Sequence, residues 1–215
     1  MTNVVVRLSW PKAETDIALF GVTLPKQRSV LINAHFDSYF GNPGASDDSV
    51  GIIAMVEVLR ALSRTQASFR NPVIFLFNGG EEAHQTAAHG FITLHRWASE
   101  VKFLINIEAI GSGGREMVFQ SNSGWLMEQY GQSAPYPHAT VIASELFRNI
   151  LWRTAATDWS TFINYGPADI LGLDMAYIEN GYVYHSSFDR ENIIPGIVVH
   201  SLYVVKSLDF CTPQY

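Results

Sequence analysis

Seven short segments of the chain are rich in apolar residues and predict β-strands. The clearest is residues 29–36, SVLINAHF, which is apolar at nearly every position. A continuous apolar run of this length is typical of a strand that is covered on both faces. The predicted strands are residues 4–10, 14–24, 29–36, 71–80, 101–111, 116–121 and 171–180.

Longer segments between the strands have apolar residues three and four positions apart, which predicts helices. The segment 48–64 has this spacing throughout, with Asp48 or Ser49 available to cap its first turn. The predicted helices are residues 48–64, 81–97, 138–151 and 192–210. Strands that alternate with helices predict a three-layer α/β/α sandwich around a mixed, mainly parallel twisted sheet.

Composition narrows the class of protein. The length of 215 residues predicts one domain, residues 1–215. The hydrophobic content of 47% is enough for a substantial core. A nucleic-acid partner is not expected, because 14 basic against 20 acidic residues give a formal net charge of -6 and no basic cluster. The start lacks the pattern of a secretory signal, and no apolar run reaches the roughly 18 residues of a membrane span. The chain as written therefore reads as soluble.

Polar side chains follow the ends of the predicted strands. In an open sheet of this kind, ligands bind at the carboxyl ends of the strands, so these residues are expected to share one rim. They are His35, Asp37, Glu81, Glu82, Glu108 and His185, together with Asp47 and Asp48 in a Gly-rich turn.

So many carboxylates in one place indicate a cation, because without one their mutual repulsion would be strongly unfavourable. Imidazoles and carboxylates without a thiolate suit zinc, with manganese or cobalt as alternatives. A metal pair would also explain the adjacent Glu81 and Glu82, since one can bind metal while the other acts as a base. Asp37 lies two residues after His35 on the same side of the strand, so its carboxylate can orient that imidazole.

Five ordered motifs resemble those of the co-catalytic zinc exopeptidases, the aminopeptidase Y and bacterial leucyl aminopeptidase family. The motifs are AHFDS, GASDDSVG, NGGEEA, NIEAIG and YHSSFD, and the resemblance runs from about residue 29 to the C-terminal helix. The residues around them most resemble a branch whose members carry this domain on the lumenal side of the endoplasmic reticulum membrane, beside several membrane spans. The resemblance implies that this chain is a piece without the N-terminal and transmembrane regions, and that the full-length form is embedded in the membrane.

The resemblance also implies two Zn²⁺ ions per chain and a role for each polar residue at the rim. The implied metal ligands are His35, Asp47, Glu82, Glu108 and His185, with Asp47 bridging the two ions. Glu81 matches the general base, and Asp37 the residue that orients His35. Asp48 is then left to cap the following helix.

Two further residues have open roles. Tyr184 could donate a hydrogen bond to the reaction's oxyanion, although Tyr182 or simple packing would explain the YVY sequence equally well. Asp158 could lie on the substrate side of the site, or it could cap a helix. The aromatic-rich segment 124–138 is a candidate wall of the substrate pocket.

The function implied by the resemblance is zinc-dependent hydrolysis of terminal peptide bonds of a peptide substrate. Aminopeptidase activity is favoured over carboxypeptidase activity, although Glu108 stands where aminopeptidases commonly have aspartate. Two alternatives stay open: a scaffold that binds metal without turnover, and acyl transfer on N-terminal glutamine, as in the single-zinc glutaminyl cyclases of similar fold.

Overall fold

A computed structural model describes residues 2–10, 28–65, 69–146, 149 and 156–193 of the chain. Their centre is a six-stranded sheet in the order β1-β3-β2-β4-β6-β5. The strands are β1 Val4–Leu8, β2 Ser29–His35, β3 Val73–Asn78, β4 Val101–Ala109, β5 Met117–Ser121 and β6 Leu171–Tyr177. The helices are α1 Ser49–Arg64, α2 Thr86–Leu94, α3 Gly124–Ser133, α4 Val141–Leu146 and α5 Asp158–Tyr165.

The four central strands of the sheet are parallel, and both edge strands are antiparallel to their neighbours. Strand β2 pairs in parallel with β3 and β4, and β4 pairs in parallel with β6. The edge strands β1 and β5 run antiparallel to β3 and β6. This arrangement confirms the mixed, mainly parallel sheet, and it brings the carboxyl ends of four strands to one rim.

Alternate residues of the strands pack on opposite faces of the sheet, as the period of a β-strand requires. On one face Ile32 and Phe75 pack in a cluster with Met55 of α1 and Tyr130 of α3. On the other face Leu31 and Leu76 pack with Phe91 of α2 and Phe162 of α5. Helices on both faces confirm the three-layer sandwich.

Helix α1 begins as predicted, because the side chain of Asp48 accepts a hydrogen bond from the backbone N–H of Gly51 at 3.2 Å. Helix α2 does not. It begins at Thr86, five residues later than predicted, because His84 and Gln85 adopt left-handed backbone angles, with φ of 61° and 55°. Glu81 and Glu82 therefore lie in a turn after β3 instead of in a helix.

Other predictions have mixed outcomes. Helix α3 occupies part of the predicted pocket wall 124–138, and its Leu126 and Tyr130 are buried in the core. The predicted strand 14–24 and most of the predicted helix 192–210 lie outside the described residues. Among the described helices, none has the length and apolar character that crossing a membrane requires.

Candidate metal centre

Five of the polar residues predicted at the rim line one cleft of about 600 Å³: Asp47, Glu81, Glu82, Glu108 and His185. His35 is the last residue of β2, and Glu108 is close to the end of β4. Glu82 follows β3 and His185 follows β6, so four parallel strands each deliver one side chain to the same place. Asp47 comes from the loop between β2 and α1.

Three of these side chains form a first group: His35, Asp47 and Glu108. The Nε2 atom of His35 lies 3.1 Å from Oδ1 of Asp47 and 3.5 Å from Oε2 of Glu108. All three residues are buried, and their ligand atoms lie within 4.8 Å of one another. This is the geometry of three donors that converge on one point.

A second group is formed by Asp47, Glu82 and His185. The Nε2 atom of His185 lies 3.1 Å from Oε1 of Glu82 and 3.4 Å from Oδ2 of Asp47. Asp47 therefore presents Oδ1 to one group and Oδ2 to the other. The structure brings together all five residues that the sequence motifs single out, and it places Asp47 between the two groups.

The free carboxylate oxygens fit a divalent metal. Oε1 of Glu108 is buried and has no hydrogen-bond partner among the described residues. Oδ2 of Asp47 and Oε1 of Glu82 are also buried and face the Nε2 atom of His185 without a hydrogen bond of good geometry. Leaving a buried charged oxygen unpaired is costly, and a bound cation removes that cost. Nitrogen and oxygen donors in two sets of three suit zinc with open coordination positions.

The pKa shifts of the acids in the cleft also indicate that it fits a divalent cation. Burial, and then the neighbouring charges of Glu108 and Asp158, raise the pKa of Glu81 to about 10. Burial also raises the pKa of Glu108. Acids whose ionised form is this strongly disfavoured are the ones that a nearby divalent cation stabilises most.

Asp37 occupies the predicted position but uses a different oxygen for His35. The Nδ1 atom of His35 lies 2.9 Å from the backbone carbonyl oxygen of Asp37 and 3.6 Å from its carboxylate. The carboxylate instead accepts the backbone N–H groups of Glu81 and Glu82, each at 3.2 Å. The carbonyl oxygen of Asp37 therefore makes the shorter contact to His35, and the carboxylate holds the turn with the two glutamates while lying 3.6 Å from the ring. That Asp37 orients His35 stays a prediction.

Asp189 and Tyr177 support the loop of Asp47, and sequence reasoning gave them no role. The carboxylate of Asp189 is fully buried and accepts the backbone N–H of Ser46 at 2.7 Å and that of Asp47 at 3.1 Å. It also accepts a short hydrogen bond from the Ser46 hydroxyl. The Tyr177 hydroxyl donates to the Ser46 carbonyl at 2.5 Å. Asp189 is the last residue of the YHSSFD motif, so this motif could have indicated Asp189 as well as His185.

Asp158 is not where either of its predicted roles would put it. It is fully buried, and the N-cap position of α5 belongs to Thr157. Its carboxylate accepts hydrogen bonds from Asn33 at 2.9 Å and from Asn78 at 2.5 Å. Asp158 is therefore a buried acceptor beneath the cleft, neither a helix cap nor a residue exposed to substrate.

The remaining wall of the cleft is mostly apolar, and Tyr184 belongs to it. Burial and the charges of Asp47, Glu108 and other acids raise the pKa of Tyr184, so its hydroxyl keeps its proton. The segment 124–138 does not contribute to the described wall. The other apolar and aromatic lining residues are Ile110, Phe119, Leu146 and Ile178.

Comparisons with known proteins agree with the motifs. A family model described as Peptidase family M28 matches residues 17–205. The chain is 44% identical over 196 residues to "Endoplasmic reticulum metallopeptidase 1" of Homo sapiens, a match that covers 90% of this chain and 20% of the relative. The chain thus spans about a fifth of the length of the curated relatives it matches.

Two solved structures share the fold at low sequence identity. A zinc aminopeptidase from Bacillus subtilis is 17% identical, with a TM-score of 0.63, over 96% of this chain and 47% of its own. A glutaminyl cyclase from Tannerella forsythia is 15% identical, also with a TM-score of 0.63, over 96% of this chain and 75% of its own. At these identities the similarity concerns the fold alone, so the function has to be argued from the site.

Proposed function

The chain belongs to peptidase family M28, and from this premise and the geometry of the cleft we propose that it is a zinc-dependent exopeptidase with two Zn²⁺ ions. The observation that supports the proposal is that two groups of three side chains able to bind metal share Asp47, and that Glu81, a member of neither group, lines the same cleft. One zinc would be held by His35, Asp47 and Glu108, and the other by Asp47, Glu82 and His185.

Zinc bound at these positions would polarise the carbonyl of the scissile peptide bond and make a water in the cleft more acidic. Glu81 is the general base in this proposal. It lines the cleft beside Glu82, and the Asp37 carboxylate holds its backbone N–H. Its carboxylate accepts a proton from the attacking water and then returns that proton to the leaving amine.

Tyr184 is proposed to stabilise the oxyanion that forms on the former carbonyl oxygen. Its side chain lines the cleft, and the acids that raise its pKa are the proposed metal ligands and Glu81, which indicates that its hydroxyl faces them. A protonated phenol close to the reacting carbonyl can donate a hydrogen bond that strengthens as negative charge develops.

The charge of the cleft favours an aminopeptidase over a carboxypeptidase. A carboxypeptidase has to bind the negative C-terminal carboxylate, usually with an arginine or lysine. Among the residues described along the cleft, none is a lysine or arginine, whereas four are acidic: Asp47, Glu81, Glu82 and Glu108. Because Asp47, Glu82 and Glu108 would be neutralised by the two zinc ions, the preference is supported by the lack of a lysine or arginine for a C-terminal carboxylate among the described lining residues.

The location of the protein is proposed from its relatives. The human relative is named for the endoplasmic reticulum, and this chain matches a fifth of its length. We therefore place the domain on the lumenal side of the endoplasmic reticulum membrane, within a longer protein that is anchored there and acts on peptides.

Zinc analysis and a peptidase assay test the proposal together. The purified chain is expected to contain two zinc ions and to release aniline from aminoacyl-anilides but not from N-blocked analogues. Glu81→Gln should keep its zinc and lose at least about 100-fold in kcat, the usual contribution of a general base. Zinc without cleavage of any substrate would favour the metal-binding scaffold, and one zinc with cyclisation of a Gln-peptide would favour acyl transfer.

A further inference from the structure

The two histidines of the centre are held in different ways. His35 ends a central strand, and its second ring nitrogen is fixed by the Asp37 carbonyl oxygen at 2.9 Å. His185 follows a turn, has a left-handed φ of 53°, and keeps 29% of its side chain exposed. Among the described residues, none forms a hydrogen bond with the Nδ1 atom of His185 that would fix its ring. In the described part of the chain its ring is oriented by the contacts of Nε2 with Glu82 and Asp47 and by what packs on the two faces of the imidazole.

Two tyrosine rings are stacked on the imidazole of His185. The ring centroid of Tyr39 lies 4.5 Å away at an interplanar angle of 8°, and that of Tyr184 lies 3.8 Å away at 19°. Two rings placed side by side on one face would overlap at these distances, because non-bonded carbons need about 3.5 Å. The rings therefore lie on opposite faces. We call Tyr39 and Tyr184 the aromatic clamp.

The loop that carries Tyr39 is itself well ordered by hydrogen bonds. The backbone N–H of Asn42 donates to the Tyr39 carbonyl at 2.8 Å, and the Ser38 hydroxyl donates to the Asn42 carbonyl at 2.9 Å. The Asn42 side chain is buried and accepts the N–H of Gly44 at 3.0 Å. Although Tyr39 is 48% exposed, its ring is therefore presented by a fixed turn.

We propose that the aromatic clamp positions His185 for metal binding and so sets the zinc affinity of the second group. An imidazole that is bound to a metal cation takes on part of its positive charge, and positive charge is attracted to the faces of aromatic rings. In the first group a hydrogen bond orients the histidine, and in the second group stacking takes that role. Tyr39 is a positioning residue, since it acts through His185. This inference depends on the proposed zinc centre, and the experiment below separates the two.

Zinc titration of chelator-stripped protein tests the clamp, with Co²⁺ as a spectroscopic probe. Tyr39→Leu removes the ring and keeps an apolar side chain, whereas Tyr39→Phe keeps the ring. Phe40→Leu is the matched control, because this neighbour is 99% exposed. Tyr39→Leu should weaken one of two zinc sites about 10–100-fold, as losses of orienting contacts do, and leave the other unchanged. Tyr39→Phe and Phe40→Leu should bind like the wild type, and Tyr184→Leu should repeat the loss.

Proton NMR of the metal-free protein provides a readout that does not depend on zinc. A ring between two aromatic faces has its carbon-bound protons shifted upfield, so the His185 signals, assigned by their loss in His185→Gln, should move downfield in Tyr39→Leu. Unchanged signals and unchanged zinc affinity in a folded Tyr39→Leu variant would overturn the clamp while leaving the zinc centre intact. A wild-type chain that binds no zinc would overturn the proposed function and the clamp's role in affinity together, even with the upfield shift present.

Discussion

The substitution Asp189→Asn tests how the fold holds the residue that bridges the two groups. In the structure the Asp189 carboxylate accepts three hydrogen bonds, from the backbone N–H groups of Ser46 and Asp47 and from the Ser46 hydroxyl. Asparagine has nearly the same shape but offers one acceptor oxygen, and its amide places N–H groups against one of these donors.

The cost follows from the bonds that are lost. A hydrogen bond to a charged group contributes about 1.5–3 kcal/mol, and a buried donor left without a partner costs about 1–3 kcal/mol. With Asp189 fully buried, we expect the variant to lose about 3–5 kcal/mol of unfolding free energy. Domains are stable by only about 5–15 kcal/mol, so the loss is large. Zinc affinity should fall about 10–100-fold, because the Asp47 loop is no longer held.

Urea unfolding of the zinc-free protein, followed by zinc titration of the folded variant, measures both effects. The matched control is Asp169→Asn, which removes an ion pair with Lys102 whose carboxylate side is 66% exposed. That change should cost no more than about 1 kcal/mol. If Asp189→Asn stays within about 1 kcal/mol of the control and binds zinc normally, the Asp189 contacts do not position Asp47.

Three further predictions concern the metals, the buried acid beneath them and the proposed oxyanion donor. Chelation of zinc should lower the melting temperature, and readdition of zinc should restore it, since ligands that bind the folded state stabilise it; an unchanged melting temperature would count against a metal in the cleft. Burial, and then Glu108, raise the pKa of Asp158 to about 7, so its contribution to stability is complete below pH 4 and is lost as pH rises to 7. Asp158→Asn should therefore gain a few kcal/mol relative to wild type between pH 4 and pH 8 in urea unfolding of zinc-free protein, whereas a pH-independent difference would show that Asp158 does not titrate in this range. Tyr184→Phe should lower kcat for anilides about 10–1000-fold while KM and zinc content change little, and an unchanged kcat would assign Tyr184 to packing and the clamp.

Much of the site could be predicted because one rule of the fold determines it. Parallel strands end at the same rim, so polar residues that follow apolar strands must meet there, as His35, Glu82, Glu108 and His185 do. Asp48 was equally readable as a helix cap, because its side chain acts within three residues of its own position. The roles of His35, Glu82, Glu108 and His185 in metal binding stay predictions until zinc is measured.

The parts that could not be predicted depend on partners that are distant in sequence or on backbone angles. Asp158 contacts Asn33 and Asn78, which lie 125 and 80 residues away in the sequence. Its burial therefore cannot be predicted from the residues around it. The turn after β3 has left-handed backbone angles at His84 and Gln85. Neither residue is a glycine, so the sequence does not indicate these angles. The Asp37 carboxylate also accepts the backbone N–H groups of that turn, a contact that the two-residue spacing from His35 could not indicate.

Zinc-edge anomalous diffraction from crystals of the zinc-loaded chain tests the central claim most directly. We predict two peaks about 3.5–4 Å apart, one beside His35 and Glu108 and one beside Glu82 and His185, with Asp47 in contact with both. A single peak, or zinc bound away from these five side chains, would contradict the account.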